Sequence, residues 1–198
     1  MNPSIEILFS VALGIGLAAA SGFRVFVPLL VAGLAARADW IPLTDSFAWL
    51  QSTPALIALG TAAVCETIAF YVPGLDHVLD VLAAPVAVVA GVLASASVMV
   101  DLPSAIRWPI AVIAGGGVAG LTKATTALVR AKTGVTTAGL GNPVVSTAET
   151  VGSAGISVFA IVAPVVCLAA LIALFVWAAR KARRMLSRRR AASTRTSS

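Results

Sequence analysis

The sequence predicts an all-α integral membrane protein, a bundle of five to six transmembrane helices built from two inverted three-segment repeats with broken helices. Three observations carry this prediction. The composition is strongly apolar, several apolar segments are long enough to cross a bilayer, and one short phrase containing a carboxylate occurs twice. We expect a single polytopic domain over 1–179, followed by a basic tail over 180–198.

The composition separates this chain from soluble domains. Of the 198 residues, 59% are hydrophobic and only 11% are charged. The mean hydropathy is +1.00. A soluble domain carries about a quarter charged residues. A soluble helical bundle would also need charged outer faces on its helices, and these segments lack them, so that alternative is disfavoured.

Five apolar stretches are candidates for membrane crossings. A helix needs about 20 apolar residues to span a bilayer, and most of the stretches approach or exceed that length. Because lipid offers the backbone no hydrogen bonds, such segments must be helical. The stretches cover 5–36, 55–72, 81–100, 106–129 and 144–179.

The first and last stretches contain interruptions. The first is interrupted at Ser21-Gly22-Phe23-Arg24 and again at Pro28, which allows either a kinked helix or the tip of a re-entrant hairpin. No basic residue precedes it, so we expect a retained membrane segment rather than a signal peptide. The last stretch is either one overlong helix or a half-helix that ends near 152–155 and precedes a full span.

One phrase occurs twice along the chain. The first copy is Glu66-Thr67-Ile68 followed by Ala84-Pro85-Val86, and the second is Glu149-Thr150-Val151 followed by Ala163-Pro164-Val165. A series of small residues also recurs, with Gly14 and Ala18 matched by Gly115 and Ala119. We predict one repeat over about 5–100 and a second over about 106–179. Three segments per repeat would invert the second repeat and place both termini in the cytoplasm. Five crossings with an external amino terminus is the alternative.

The tail predicts the orientation. Eight basic residues lie between 180 and 195 and account for the net charge of +6. Positive charge within about 15–20 residues of a membrane segment stays in the cytoplasm, so we expect the carboxyl terminus there and its end to be disordered. The expected partners are the lipid bilayer and anionic lipid at the tail. Nucleic acid is not expected, because no aromatic residues are interleaved with the charges.

Four charged residues lie within or at the edge of apolar stretches: Arg24, Glu66, Lys123 and Glu149. A charge at the bilayer centre costs about 2.5–3.5 kcal/mol, so each needs a partner or a water-filled cavity. One interpretation pairs them as structural salt bridges. The other places them around a central substrate site, where Arg24 and Lys123 attract an anionic group and a glutamate carries a coupling proton.

A glycine-rich segment adds a candidate binding element. Gly139 and Gly141 precede Asn142, which suits a helix N-cap, and Pro143 suits the first helical position. The free amides at such a helix start can bind an anion. We therefore include Gly139, Gly141 and Asn142 among the candidate substrate-binding residues.

A second polar group consists of Asp76, His77 and Asp80 at helical spacing. The chain has a single histidine and no cysteine nearby, so a cap or an interfacial polar cluster is preferred to a metal site. We predict no bound metal and no cofactor. No nucleophile with a base in reach is evident, so we predict no enzymatic activity.

The motifs Ser21-Gly22-Phe23-Arg24 with Pro28, Glu66 with Pro73-Gly74-Leu75-Asp76-His77, and Gly139-Leu140-Gly141-Asn142-Pro143 with Glu149 occur in order. With them the chain resembles the uncharacterised prokaryotic membrane family catalogued as domain of unknown function 4126. The resemblance implies a multi-span protein of a prokaryotic plasma membrane and brings no established activity. The phrase Phe23-Arg24-Val25-Phe26-Val27-Pro28 is also similar to the arginine–proline motif of DedA-type lipid-phosphate transporters, which implies lipid phosphate as a candidate ligand.

The expected function is a small transporter or permeability pathway for an anionic solute or lipid headgroup. The alternative is a non-catalytic membrane scaffold or accessory subunit, whose small-residue faces would dock partner helices. A homo-oligomer is compatible with either. Neutralising Glu66 and Glu149 separates the two functions, because a scaffold that still folds should tolerate the change and a transporter should not.

Overall fold

The structure, a computed structural model, describes residues 3–71, 75–137 and 142–195, without the side chains of 75–81, 134–137, 142–143 and 182–195. Within these ranges the chain is helical with short connections. The elements are α1 (Pro3–Ser21), α2 (Phe26–Arg37), a 3₁₀ helix (Asp45–Gln51), α3 (Thr53–Ala69), α4 (Leu75–Val98), α5 (Ser104–Ile110), a π-helical segment (Ala111–Gly116), α6 (Gly117–Thr137), α7 (Asn142–Val162) and α8 (Pro164–Arg195).

The all-α prediction is confirmed, and the apolar helices indicate a membrane-embedded protein. Among the described residues, four helical stretches are long and apolar enough to cross a bilayer: Pro3–Ser21, Ser104–Thr133, Val144–Val162 and Pro164–Lys181. The 3₁₀ helix and α3 meet at 70° and together form a fifth candidate. The count of candidate crossings is therefore four or five, against the five to six that the sequence predicts.

α1 is the central helix of the bundle. It packs against α2, α4, α6, α7 and α8, and most of its residues from Ser10 to Ser21 are buried. Glycine, which has no Cβ, makes this close packing possible. An ideal Cβ at Gly16 would lie 2.5 Å from the Cβ of Ala160, and one at Gly14 would lie 3.0 Å from the carbonyl oxygen of Ser95. Small residues thus let the helix backbones approach, as they do in membrane bundles.

The close contacts also fix the directions of the helices. Gly14 on α1 and Gly115 on the π-helical segment before α6 both approach Ser95 on α4. Further along, Ala18 and Ala119 both approach Gly91. α1 and α6 therefore run in the same direction, and both are antiparallel to α4.

The two helices that carry the repeated glutamates run in opposite directions. Glu66, near the end of α3, contacts Val25, whereas Ser146, near the start of α7, contacts Arg24. These directions, together with the parallel α1 and α6, do not fit two inverted three-segment repeats. The physical reason is α2, a short helix that returns the chain once more between α1 and α3 in the first copy and has no counterpart among the described residues of the second.

The first apolar stretch is broken once. α1 ends at Ser21 and α2 begins at Phe26, as the motif Ser21-Gly22-Phe23-Arg24 predicts. Pro28 lies in the first turn of α2, where a missing backbone N–H has no partner to lose, so it does not interrupt the helix.

The break in the last apolar stretch lies at Pro164. α7 continues helically through 152–155 to Val162, so the alternative of a half-helix ending near 152–155 is wrong. The N–H of Ala163 donates to the carbonyl oxygen of Phe159 at 2.9 Å, and the N–H of Cys167 donates to that of Ala163 at 2.9 Å. Helical hydrogen bonds are therefore present directly before and directly after Pro164, which itself has no N–H to donate.

Candidate anion site

The break between α1 and α2 carries Arg24 into the interior of the bundle. The backbone polar groups of the break have local hydrogen-bond partners. The N–H groups of Gly22 and Phe23 donate to the carbonyl oxygens of Ala19 and Ala20 at 3.2 and 3.0 Å. The buried Ser153 hydroxyl on α7 donates to the same Ala20 oxygen at 3.0 Å. Because these bonds replace those of a continuous helix, irregular backbone can exist inside an apolar protein.

The Glu66 carboxylate holds the start of α2. Its Oε1 accepts a hydrogen bond from the N–H of Val25 at 2.9 Å, and its Oε2 accepts one from the N–H of Phe26 at 3.3 Å. These amides are among those that a helix start leaves without partners. A carboxylate there also interacts favourably with the helix dipole. Glu66 therefore acts as an N-cap supplied from another helix.

The Arg24 guanidinium is fully buried and directed at α7. Nε donates to the Thr150 hydroxyl at 3.0 Å. Nη2 donates to the carbonyl oxygen of Ser146 at 2.9 Å and to the hydroxyl of the same residue. Nη1 is buried and has no hydrogen-bond partner among the residues described. Because an unsatisfied charged donor is costly in a dry interior, Nη1 marks a place where an acceptor would be stabilising.

Glu149 on α7 lies between two arginines. Its Oε2 is 3.9 Å from Nη2 of Arg24 and accepts a hydrogen bond from Nη2 of Arg130 on α6. All three side chains are buried, with at most 4% of their surface exposed. In such surroundings their mutual interactions are far stronger than at a wet surface.

Phe70, directly after α3, is shared by three cations. The guanidinium carbons of Arg24 and Arg130 lie 4.5 and 4.4 Å from the ring centroid, and Nζ of Lys123 lies 5.2 Å from it. The negative face of the ring attracts cations by about 2 kcal/mol or more where both are desolvated. Phe70 is itself buried, so it gathers the three positive groups at one place. We call Arg24, Lys123 and Arg130 around Phe70 the cation cluster.

One family model, described as Domain of unknown function (DUF4126), matches residues 11–184. The chain belongs to this family. No curated protein and no solved structure matches it. Membership in DUF4126 confirms the resemblance carried by the sequence motifs and names no activity.

In this DUF4126 protein, four of the predicted site residues come together. Arg24 and Glu149 are within ion-pair distance, Lys123 joins Arg24 at Phe70, and Glu66 binds the two amides that follow Arg24. Gly139 and Gly141 lie outside the described residues. The backbone of Asn142 begins α7, and its side chain lies outside the description.

The polar group Asp76, His77 and Asp80 lies in the first turns of α4, and its side chains also fall outside the described part of the chain. Among the described residues, no group of three or more histidine, cysteine, aspartate or glutamate side chains is arranged to hold a metal ion.

Several residues of the candidate anion site are not among those that the sequence predicts. Arg130 follows Lys123 by seven residues, which is two helical turns and places both on one face of α6. The hydroxyl residues Ser146, Thr150, Ser153 and Ser157 recur at spacings of four, three and four, which is one face of α7. Both spacings are visible in the sequence. The role of Phe70 is not, because it depends on the fold bringing the end of α3 close to Arg24 and to two side chains of α6.

The arrangement can do two things chemically. The cation cluster provides guanidinium donors of fixed geometry, which match the oxygen atoms of phosphate and carboxylate groups. Glu149 supplies a negative charge that an incoming anion could replace. The hydroxyls of Ser146 and Thr150 add neutral partners that can rearrange at little cost.

Proposed function

We propose that this protein is a small membrane transporter or permeability pathway for an anionic solute or lipid headgroup. The observation that carries the proposal is Arg24, whose guanidinium is fully buried on the Phe70 ring with Nη1 unpartnered among the described residues. Ionisable residues inside membrane proteins generally mark substrate or ion pathways. The proposal does not depend on a repeat architecture.

Glu149 acts as the resident counter-ion in this proposal. Without substrate, its carboxylate lies between Arg24 and Arg130. An incoming anion displaces it from Arg24, and protonation of the freed carboxylate then avoids leaving an unpaired negative charge in the interior. Substrate entry is thereby linked to proton uptake. Glu66 remains bound to the start of α2 and holds the break in place.

The proposal includes an orientation and a location. The basic tail lies in the cytoplasm, and the protein resides in the plasma membrane of a prokaryote. The support is the cluster of arginines that begins at Arg180, directly after the apolar part of α8. The same tail can associate with anionic lipid, and the assembly can be a homo-oligomer.

Measuring anion transport by the Arg24→Gln variant tests the proposed function. The full-length protein would be reconstituted in phosphatidylcholine vesicles, and uptake of inorganic phosphate and chloride and movement of fluorescent phosphatidic acid across the bilayer would be measured. Loss of a charged hydrogen bond costs about 1.5–3 kcal/mol, so Arg24→Gln should lower transport of the accepted anion by about tenfold or more.

Arg37→Gln is the matched control for this experiment. Arg37 is an exposed arginine on α2 whose Nη1 donates to the Thr53 hydroxyl at 2.8 Å, so its replacement should leave transport unchanged. Wild-type vesicles that move none of the three probes, or an Arg24→Gln variant that moves them at the wild-type rate, would count against the proposal.

A scaffold or accessory subunit is the alternative function, and one observation favours it. Apart from their own helix neighbours, Gly60, Gly117, Gly152 and Gly155 have no atom of a described residue within 4 Å of an ideal Cβ. Small residues on open helix faces allow partner helices to approach closely. In that case, neutralising the cation cluster would change stability without changing any flux.

A further inference from the structure

An apolar groove lies beside the cation cluster, between α3 and α4. Its volume is about 420 Å³, and it opens toward the surroundings of the bundle. α3 contributes Ala62, Cys65 and Ala69 to its walls, and α4 contributes Leu82, Ala83 and Val86. A concave apolar surface of this size between helices suits a hydrocarbon chain.

One end of the groove is lined by two residues that adjoin the cation cluster. Phe70 and Val25 both line the groove. Phe70 is the ring on which Arg24 and Arg130 lie at 4.5 and 4.4 Å, and Val25 directly follows Arg24. The positive charges are therefore directly behind this wall. In apolar surroundings their field acts strongly on a charged group placed at that end of the groove.

Among the described side chains that line the groove, Glu66 is the one that is acidic. Its two oxygens accept hydrogen bonds from the N–H groups of Val25 and Phe26. The positive end of the α2 dipole lies at the same position. These interactions offset the negative charge, so Glu66 does not cancel the attraction of the cation cluster for an anion.

A second apolar groove provides a comparison within the same molecule. It lies between the end of α2 and the end of α7, has a volume of about 370 Å³ and is lined by uncharged residues that include Leu34, Ala38, Trp40 and Val162. The two grooves are similar in size and polarity. Only the groove between α3 and α4 adjoins the cation cluster.

We infer that the ligand of the cation cluster is a membrane lipid with an anionic phosphate headgroup, whose acyl chain lies in the groove between α3 and α4. This inference rests on the proposed function and narrows its substrate to an amphiphile. The apolar walls hold the chain, and the headgroup lies at the Phe70 end, where the arginines attract its oxygens. A soluble anion would make no use of the groove.

Lipid retention by groove-filling variants tests the inference. Full-length protein would be purified in detergent with equal amounts of phosphatidic acid and phosphatidylcholine, and bound lipid would be counted by native mass spectrometry. The wild type should retain phosphatidic acid in excess. Ala62→Trp places a ring in the groove and should abolish most of that excess, whereas Ala38→Trp, in the second groove, should not.

Ala83→Phe, from the α4 side, repeats the test in case Ala62→Trp does not fold, and thermal unfolding of each variant reports on folding. Equal retention of both lipids by the wild type, or an undiminished excess in folded Ala62→Trp and Ala83→Phe, would overturn the inference. A different measurement decides whether the proposed transport function holds. If Arg24→Gln lowers phosphate uptake while the groove variants leave it unchanged, the cluster transports a soluble anion and only the lipid inference is lost.

Discussion

Glu66 accepts a hydrogen bond from the backbone N–H of Val25 at 2.9 Å, across 41 positions of sequence. The end of α3 therefore holds the start of α2, and the position of Arg24, one residue before Val25, depends on that bond. Phe70 follows Glu66 by one turn on the same segment. The short segment from Glu66 to Phe70 thus fixes the backbone of the break and also supplies the aromatic ring on which Arg24 lies.

We expect Glu66→Ala to destabilise the protein by about 1–3 kcal/mol, because two backbone amides at the start of α2 lose their acceptor. Glu66→Gln keeps one carbonyl oxygen and should have an intermediate effect. Urea unfolding in detergent measures the change. Thr61→Ala, an exposed hydroxyl on the same helix, is the control and should cost little. A Glu66→Ala protein as stable as that control would contradict the capping role.

Replacing Glu149 separates stability from function. Glu149→Ala leaves buried arginines without this carboxylate and should cost about 3–5 kcal/mol of unfolding free energy. The double variant Arg130→Met with Glu149→Leu should recover part of that stability, because apolar side chains can replace the Arg130–Glu149 pair at little net cost, while Arg24 still lacks its carboxylate. It should nevertheless transport poorly, since part of the cation cluster is gone.

The measurements for this pair are unfolding free energies in detergent and transport in vesicles, on the same preparations. A double variant that is both stable and fully active would show that the Arg130–Glu149 pair is structural and takes no part in transport.

Gly22 and Gly60 provide a paired test of packing at the break. An ideal Cβ at Gly22 would lie 2.4 Å from the Cβ of Thr122 and 2.5 Å from the carbonyl oxygen of Ala119, whereas one at Gly60 would meet no described residue within 4 Å beyond its own helix neighbours. Gly22→Ala should therefore cost about 1–3 kcal/mol through overpacking. Gly60→Ala, at a half-buried position in the interior of α3, should be neutral or stabilising by up to about 1 kcal/mol. Thermal unfolding of both variants measures the two effects. Equal shifts in their melting temperatures would argue against a close α1–α6 contact.

The sequence predicted the all-α membrane class, and it singled out several residues of the candidate site without predicting their arrangement. Arg24, Glu66 and Glu149 are conspicuous because a charge in an apolar stretch is costly and needs a reason. Their partners are long-range: Glu66 binds amides on α2, and Arg24 binds a carbonyl oxygen on α7. No local spacing encodes such contacts.

The repeat architecture was harder to predict for a different reason. Similar phrases such as Ala84-Pro85-Val86 and Ala163-Pro164-Val165 occupy different places, since Pro85 lies inside α4 and Pro164 begins α8. A proline can occupy the first turn of a helix or distort its interior, and the neighbouring helices decide which occurs. The number of segments in each copy depends on α2, whose 12 residues are too few to be recognised as a crossing by length.

Cysteine labelling tests the helix directions and the orientation together. In a background of Cys65→Ala and Cys167→Ala, single cysteines would replace Ser46, Thr137 and Ser187, and intact cells would be treated with an impermeant thiol reagent. Ser46 lies on the 3₁₀ helix, at the end of the bundle where Arg37 meets Thr53, whereas α6 passes the Arg24 end before it reaches Thr137. Ser46 and Thr137 should therefore be labelled from opposite sides.

The cysteine at Ser187 should be protected until the cells are opened, because basic segments remain in the cytoplasm. Labelling of Ser46 and Thr137 from one side would contradict the helix directions, and labelling of Ser187 from outside would contradict the cytoplasmic tail.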